Sequence, residues 1–255
     1  MERMTGCAAP VARLSLCQSL PAYRFTNSLL GLLRLVQRHR ALCAGWALTD
    51  ACHPLPRDAL VDAVNAALQA CSVRAPGRAE QAFVNETKAD WQQLLAASGA
   101  LPADMLFLRH SRLIGKILGR IALFAEQWPG MDQDGLVADY ACQLPALAEC
   151  LGQIRGMCCG VAARGHCSAF KRTRLLFLCS SAQALLLAAC QRYRGVSPPV
   201  EALVARTATE GLVHIVRAGF LRERVDYPVG AFDTTATESI ETVFAWIART
   251  GADLA

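Results

Sequence analysis

Apolar residues recur along most of this chain at the spacing of an α-helix, and no alternating run is long enough for a strand. Between residues 58 and 71 they stand at Leu60, Val61, Val64, Ala67, Leu68 and Cys71, which gathers them into one stripe on a helix. Residues 81–97 repeat the layout with Phe83, Thr87, Trp91, Leu94 and Leu95. Thr235-x-x-Glu238 reads as a capping box ahead of a third stripe, Ile240, Val243, Phe244 and Ile247. Asp104 can cap a helix running to about Trp128, and residues 135–163 read as one or two helices interrupted near Pro145 and Gly152. Proline and glycine punctuate the pattern at His53-Pro54-Leu55-Pro56, Pro76-Gly77, Pro129-Gly130, Pro198-Pro199 and Pro228 to Gly230. The reading is an all-α fold, an irregular bundle of roughly seven to nine helices forming a single domain over residues 1–255. A chain of 255 residues can bury such a core without disulfides or metals.

Two of the helices are basic and carry no acid. Residues 105–125, MLFLRHSRLIGKILGRIALFA, place Arg109, Arg112, Lys116 and Arg120 on one narrow edge, and most other positions are Leu, Ile, Phe or Met. Residues 23–40 place Arg34 and Arg38 opposite Leu29, Leu30, Leu32, Leu33, Leu35 and Val36. A wide apolar face with a basic edge suits a headgroup boundary, with arginines among anionic phosphates and leucines among acyl chains. It equally suits a core helix of a bundle whose one wet edge is basic. Gly115-x-x-x-Gly119 permits close approach of a second helix.

Residues 175–190 are uncharged and are bounded by Arg172, Arg174, Arg192 and Arg194. The run falls short of the ~20 residues that cross a bilayer. It suits a marginal span, a half-embedded arm or a buried core helix. Hydrophobic residues make up 53% of the chain and charged residues 18%, which excludes disorder. The formal charge is +5, aromatics are 7%, and they do not interleave with the basic positions, so a phosphodiester-binding face is not expected.

No catalytic motif appears. The histidines His39, His53, His110, His166 and His214 lie in different segments, and Asp132 and Asp134 flank a turn. Cys142, Cys150, Cys158, Cys159, His166 and Cys167 lack the two-residue spacing of zinc knuckles. Neither a metal nor a cofactor is expected. The absence of an apolar leader in residues 1–20 and the dispersal of the 12 cysteines among apolar residues suggest thiols in a reducing compartment.

The order of segments resembles the peroxisomal biogenesis factor eleven family, the membrane-elongation proteins of peroxisomes and glycosomes. Arg24-Phe25 with residues 29–37 is similar to the family's Leu/Arg-rich stretch. Residues 108–120, with Ser111, Lys116 and Arg120, are similar to its S-x-x-x-K-x-x-R-type helix, and residues 174–191 and 198–218 occupy the place of its weakly hydrophobic region. The resemblance implies a non-enzymatic protein of the peroxisomal or glycosomal membrane that remodels or elongates its bilayer. Its implied partners are anionic lipid and other copies of itself, not nucleic acid. Arg34, Arg38, Arg109, Arg112, Lys116 and Arg120 are then the membrane-binding residues, and Gly115 and Gly119 pack helices. The alternatives are a soluble all-α protein-interaction module and an α-helical enzyme with a dispersed site.

Overall fold

The computed structural model describes residues 11–45, 57–126 and 135–254, with side chains at 21–43, 58–126 and 135–254. The breakers at His53 to Pro56 and at Pro129-Gly130, the acids Asp132 and Asp134, and residues 1–10 lie outside the described residues. The expected all-α class holds, and among the described residues there is no strand beyond an isolated bridge between His166 and Arg224.

The helices close into two rings. α1 (Val11–Gly45) packs on α2 (Arg57–Arg74), α2 on α3 (Arg78–Ala97), α3 on α4 (Ala103–Ala125), and α4 returns to α1. Gly135, at φ 69°, takes the left-handed conformation that glycine tolerates and leads into α5 (Leu136–Ala138). A π-helical stretch, Asp139–Gln143, continues into α6 (Leu144–Arg164). α6 packs on α7 (Ala169–Gln191), α7 on α8 (Val200–Gly219), α8 on α9 (Val229–Leu254), and α9 returns to α6. Contacts of α1 and α4 with α6 join the two four-helix rings along a seam.

Apolar stripes fill both rings. Phe25, Leu29, Leu33, Val64, Trp91 and Ile117 are fully buried in the first, and Leu151, Ala182, Leu212, Phe232, Val243 and Trp246 in the second. Each large apolar side chain so buried contributes ~1.5–3 kcal/mol of transfer free energy, which sets the order of the driving force.

Several boundaries differ from expectation. α1 runs through Pro21, and α6 continues through Gly152. Tertiary packing of long apolar faces overrides local breakers there. Pro145 sits in the first turn of α6, directly after the π-helical stretch Asp139–Gln143. α4 starts after Pro102, so Asp104 lies in its first turn and is not its cap. α9 starts at Val229, so Thr235-x-x-Glu238 is not a capping box. Thr235 instead donates to the Ala231 carbonyl one turn back. The Ile240, Val243, Phe244 and Ile247 stripe is buried as its spacing predicts.

Candidate functional site at the seam

The basic helices turn their apolar faces into protein. On α4, Leu106, Leu113, Ile114, Ile117, Ile121 and Phe124 are buried, and on α1 so are Leu29, Leu30, Leu32, Leu33 and Val36. Among the residues whose side chains are described, no wide apolar face of either helix is left to enter a leaflet. Most of their cations are also committed to other helices. Arg34 and Arg38 of α1 both bind Glu241 of α9, Arg38 at 2.8 Å. Lys116 of α4 meets Asp90 at 2.8 Å and Glu86 at 3.2 Å on α3, and Arg120 meets Glu80 of the same helix. The acids absent from the basic helices are supplied by their neighbours. Burial pushes the Glu241 carboxyl up, but the hydrogen bonds from Arg34 and Arg38 outweigh it and hold it below its ordinary range. Burial likewise lowers Lys116, while Asp90 and Glu86 more than restore it, leaving it above the usual lysine value.

Arg109 and Arg112 are placed differently. Both are exposed, and with Asp90 and Lys116 they line an open groove of about 390 Å³ between α3 and α4. Gly115 and Gly119 do not pack a helix. Both are exposed, and a methyl group at either would meet nothing within 4 Å. Close approach occurs at other glycines. A Cβ at Gly152 would stand 2.6 Å from Nη2 of Arg40, and one at Gly251 would stand 2.7 Å from the Tyr140 ring.

Gly152 leads to the feature that sequence reasoning missed. At the seam, Arg40 of α1 is buried beside Glu149 of α6, with Nη1 2.6 Å from Oε1 and Nη2 3.0 Å from Oε2. This bidentate geometry is the strong form of a guanidinium–carboxylate pair. Glu149 also accepts from Gln37 Nε2 and Gln153 Nε2, each at 2.9 Å. Arg40 further donates to Ser111 Oγ of α4 at 2.9 Å and lies over the Phe107 ring, 4.9 Å from its centroid. One turn and a half along α6, buried Arg155 donates to Thr237 Oγ1 of α9 at 2.8 Å and to the Gln37 carbonyl at 3.2 Å. Burial lowers the Arg155 pKa; Asp233 acts against that shift and Arg40 with it. The network therefore ties α1 and α4 of one ring to α6 and α9 of the other. Glu149 is the lone acid of α6, and Arg155 stands in a run otherwise built of Ala, Cys, Gly and larger apolar residues. Two charges in the interior of so apolar a helix, apart from Arg164 at its end, are the signal that could have marked them.

The cysteines behave as small core residues. Cys71, Cys158 and Cys179 are buried thiols; burial pushes Cys71 up to about 12 and Cys179 to about 11. Cys142, Cys150, Cys158, Cys159 and Cys167, whose spacing does not suit zinc, are not brought together as a ligand set. A different trio does converge on α1 and α4, namely His39, Cys43 and His110.

Two four-helix rings sharing a charged seam define a helical double bundle. Among solved structures it is similar to the NasR transcription antiterminator, with a TM-score of 0.72 at 15% identity over 95% of this chain and 70% of that one. No family model and no curated protein matches the chain. The structural likeness overturns two expectations. The protein is not read as a membrane-remodelling factor, and its partners are not read as anionic lipid to the exclusion of nucleic acid. The physical reason is the pairing described above. Apolar and basic faces that look membrane-directed in isolation are packed and neutralised within the bundle. α7 is, by length and composition alone, apolar enough to cross a membrane. One side of it, with Leu175, Leu178, Cys179, Ala182, Leu186 and Ala189, is buried against neighbouring helices, while Phe170, Leu176, Phe177 and Leu187 on the other are exposed.

Proposed function

We propose that the chain is a non-enzymatic regulatory module in the control of transcription, acting through an RNA contact. The likeness of 95% of the chain to a transcription antiterminator carries the reading. Two features of the molecule support it. The open groove presents Arg109 and Arg112, two exposed cations of α4, and exposed arginines are the side chains that meet phosphate. The seam offers a joint: a hydrogen-bonded charged contact between two bundles has discrete arrangements, and such an element is what a regulatory signal can bias. Arg34 and Arg38 bind Glu241, Arg40 binds Glu149, and Arg155 is buried among them with Asp233 acting on its charge, so the joint depends on charge.

The test tethers the full chain to a nascent transcript, through a heterologous RNA-binding tag, upstream of an intrinsic terminator. Readthrough is scored as the ratio of downstream to upstream RNA. The expected outcome is a change of several-fold, and readthrough equal to that of the tag alone would refute the regulatory reading. The groove is tested without the tag, by filter binding of the chain to the same RNA, which Arg109→Ala combined with Arg112→Ala should weaken several-fold. Binding that the double variant leaves intact would refute the assignment of the groove.

A further inference from the structure

We propose that His39, Cys43 and His110 form a zinc site that pins the C-terminal end of α1 to α4. His39 and Cys43 stand one turn apart on α1, at i and i+4, so both side chains leave the same face of the helix. His110 faces them from α4. His39 Nδ1 lies 2.8 Å from His110 Nε2, and Cys43 Sγ lies 3.7 Å from His39 Nδ1. One ligand atom from each of the three falls within 4.8 Å of the others. Zn–N bonds of ~2.0–2.1 Å and a Zn–S bond of ~2.3 Å put tetrahedral N···N pairs roughly 3.3 Å apart and N···S pairs roughly 3.6 Å apart. The separation of Cys43 Sγ from His39 Nδ1 already meets that requirement, and Sγ lies within 4.8 Å of the His110 ligand nitrogen, a gap that a turn of the partly exposed Cys43 side chain closes. The two imidazoles have to part by roughly half an ångström, which a small rotation of either ring supplies.

Three further observations favour a metal over a bare histidine pair. His110 Nδ1 is 2.7 Å from the Leu106 carbonyl, so Nδ1 carries the proton and Nε2 directs a lone pair at the site. A backbone carbonyl holding the remote ring nitrogen is the usual support of a zinc-bound histidine. The donor set itself, two imidazoles and a thiolate, is one that zinc prefers and that magnesium and calcium do not. Finally, Cys43 lies near the C-terminal end of α1, Val11–Gly45, the end toward which the helix dipole is negative and favours a cation. Both histidines are fully buried and Cys43 is partly exposed, so the thiol side is the route of entry. Three protein ligands leave a fourth position for water or another donor. On binding, the Cys43 thiol proton leaves to solvent and the His39 proton moves from Nδ1 to Nε2, so one proton is released per zinc.

The experiment uses the full chain, stripped with chelator under reducing conditions. It is titrated with zinc against a chromophoric competitor, and separately with cobalt. The expected result is one zinc per chain and a cobalt spectrum with tetrahedral d–d bands and a thiolate charge-transfer band. Cys43→Ser should abolish the charge-transfer band, and both Cys43→Ser and His110→Gln should weaken zinc by more than the ~10–100-fold that loss of a second-shell partner costs. Cys43 is partly exposed, so its serine variant reports on the metal even if His110→Gln fails to fold. His214→Ala and Cys190→Ser, remote from the trio, should bind as the parent does. The ring of Trp91 stands 4.7 Å from that of His39, so cobalt should quench its emission in the parent and not in Cys43→Ser. Failure to bind zinc stoichiometrically, or binding that neither Cys43→Ser nor His110→Gln weakens, would overturn the proposal.

Discussion

Replacing Glu149 by Gln tests whether the seam holds the two bundles together. The substitution preserves shape and removes the charge. In the parent, the carboxylate accepts from Arg40 twice, from Gln37 and from Gln153, all between 2.6 and 3.0 Å. A glutamine offers one oxygen and turns the other position into a donor, which then faces a donor. Arg40 keeps its charge with 1% of its side chain exposed and has no water to turn to. Removing one partner of a buried pair costs about 3–5 kcal/mol, because the remaining charge stays desolvated. In a chain of this size ~1 kcal/mol moves Tm by ~2–4 °C, so the fall should be roughly 6–20 °C. Calorimetry and urea unfolding measure it, and a second transition in the variant would report that the rings now unfold apart. The pair itself is worth less than the variant loses. Arg40→Met combined with Glu149→Leu should recover most of the stability, since apolar groups of similar volume replace buried ion pairs at little cost. A Glu149→Gln variant within about 1 kcal/mol of the parent would show that the seam charge is solvated, and the argument for a charge-dependent joint would fail.

Glycine substitutions should split by sign. Gly152→Ala places a methyl against Arg40, which Glu149, Ser111 and Phe107 hold in place, and should cost about 1–3 kcal/mol in urea unfolding. Gly115→Ala and Gly119→Ala meet nothing and should each stabilise α4 by ~0.5–1 kcal/mol. Glu241 has a depressed pKa, so its contribution is present above the unfolded value of about 4.3 and is lost as pH falls through the lower folded value. The Tm difference between the parent and Glu241→Gln should therefore be largest near neutrality and close in acid, and a pH-independent difference would refute the ion-pair account. Cys71, with a thiol pushed up to about 12, should resist iodoacetamide at pH 8 in the folded protein and react once urea unfolds it.

The helices were legible in the sequence because each apolar face is local information. The stripe on α9 can be read from four residues, and the bundle buries all four. Ends were less legible where a neighbour's surface outweighed a local signal. Pro21 stays within α1 because the helix on its far side is pinned by Phe25, Leu29 and Leu33. Thr235 looks like a cap from three residues of context, yet the chain has already turned helical at Val229 behind Pro228.

The environment of the charges was not legible, and the two basic helices show why. Periodicity places Arg34 and Arg38 on one edge of α1 and Lys116 and Arg120 on one edge of α4, and both placements are right. What an edge faces depends on chain more than 200 residues away for Glu241 and on an adjacent helix for Glu80, Glu86 and Asp90. An acid-free basic helix in a chain carrying 21 acids therefore has two destinations, an anionic bilayer or the acids of its own fold. The second is favoured when acid-bearing helices of matching length exist elsewhere in the chain, as α3 does for α4. By that reasoning the informative cation in such a sequence is one left over after the acids have been assigned. On α4 those are Arg109 and Arg112 at the groove, while Arg155 inside the seam, held by a threonine and a carbonyl and acted on by Asp233, makes the packing of the two bundles answer to charge.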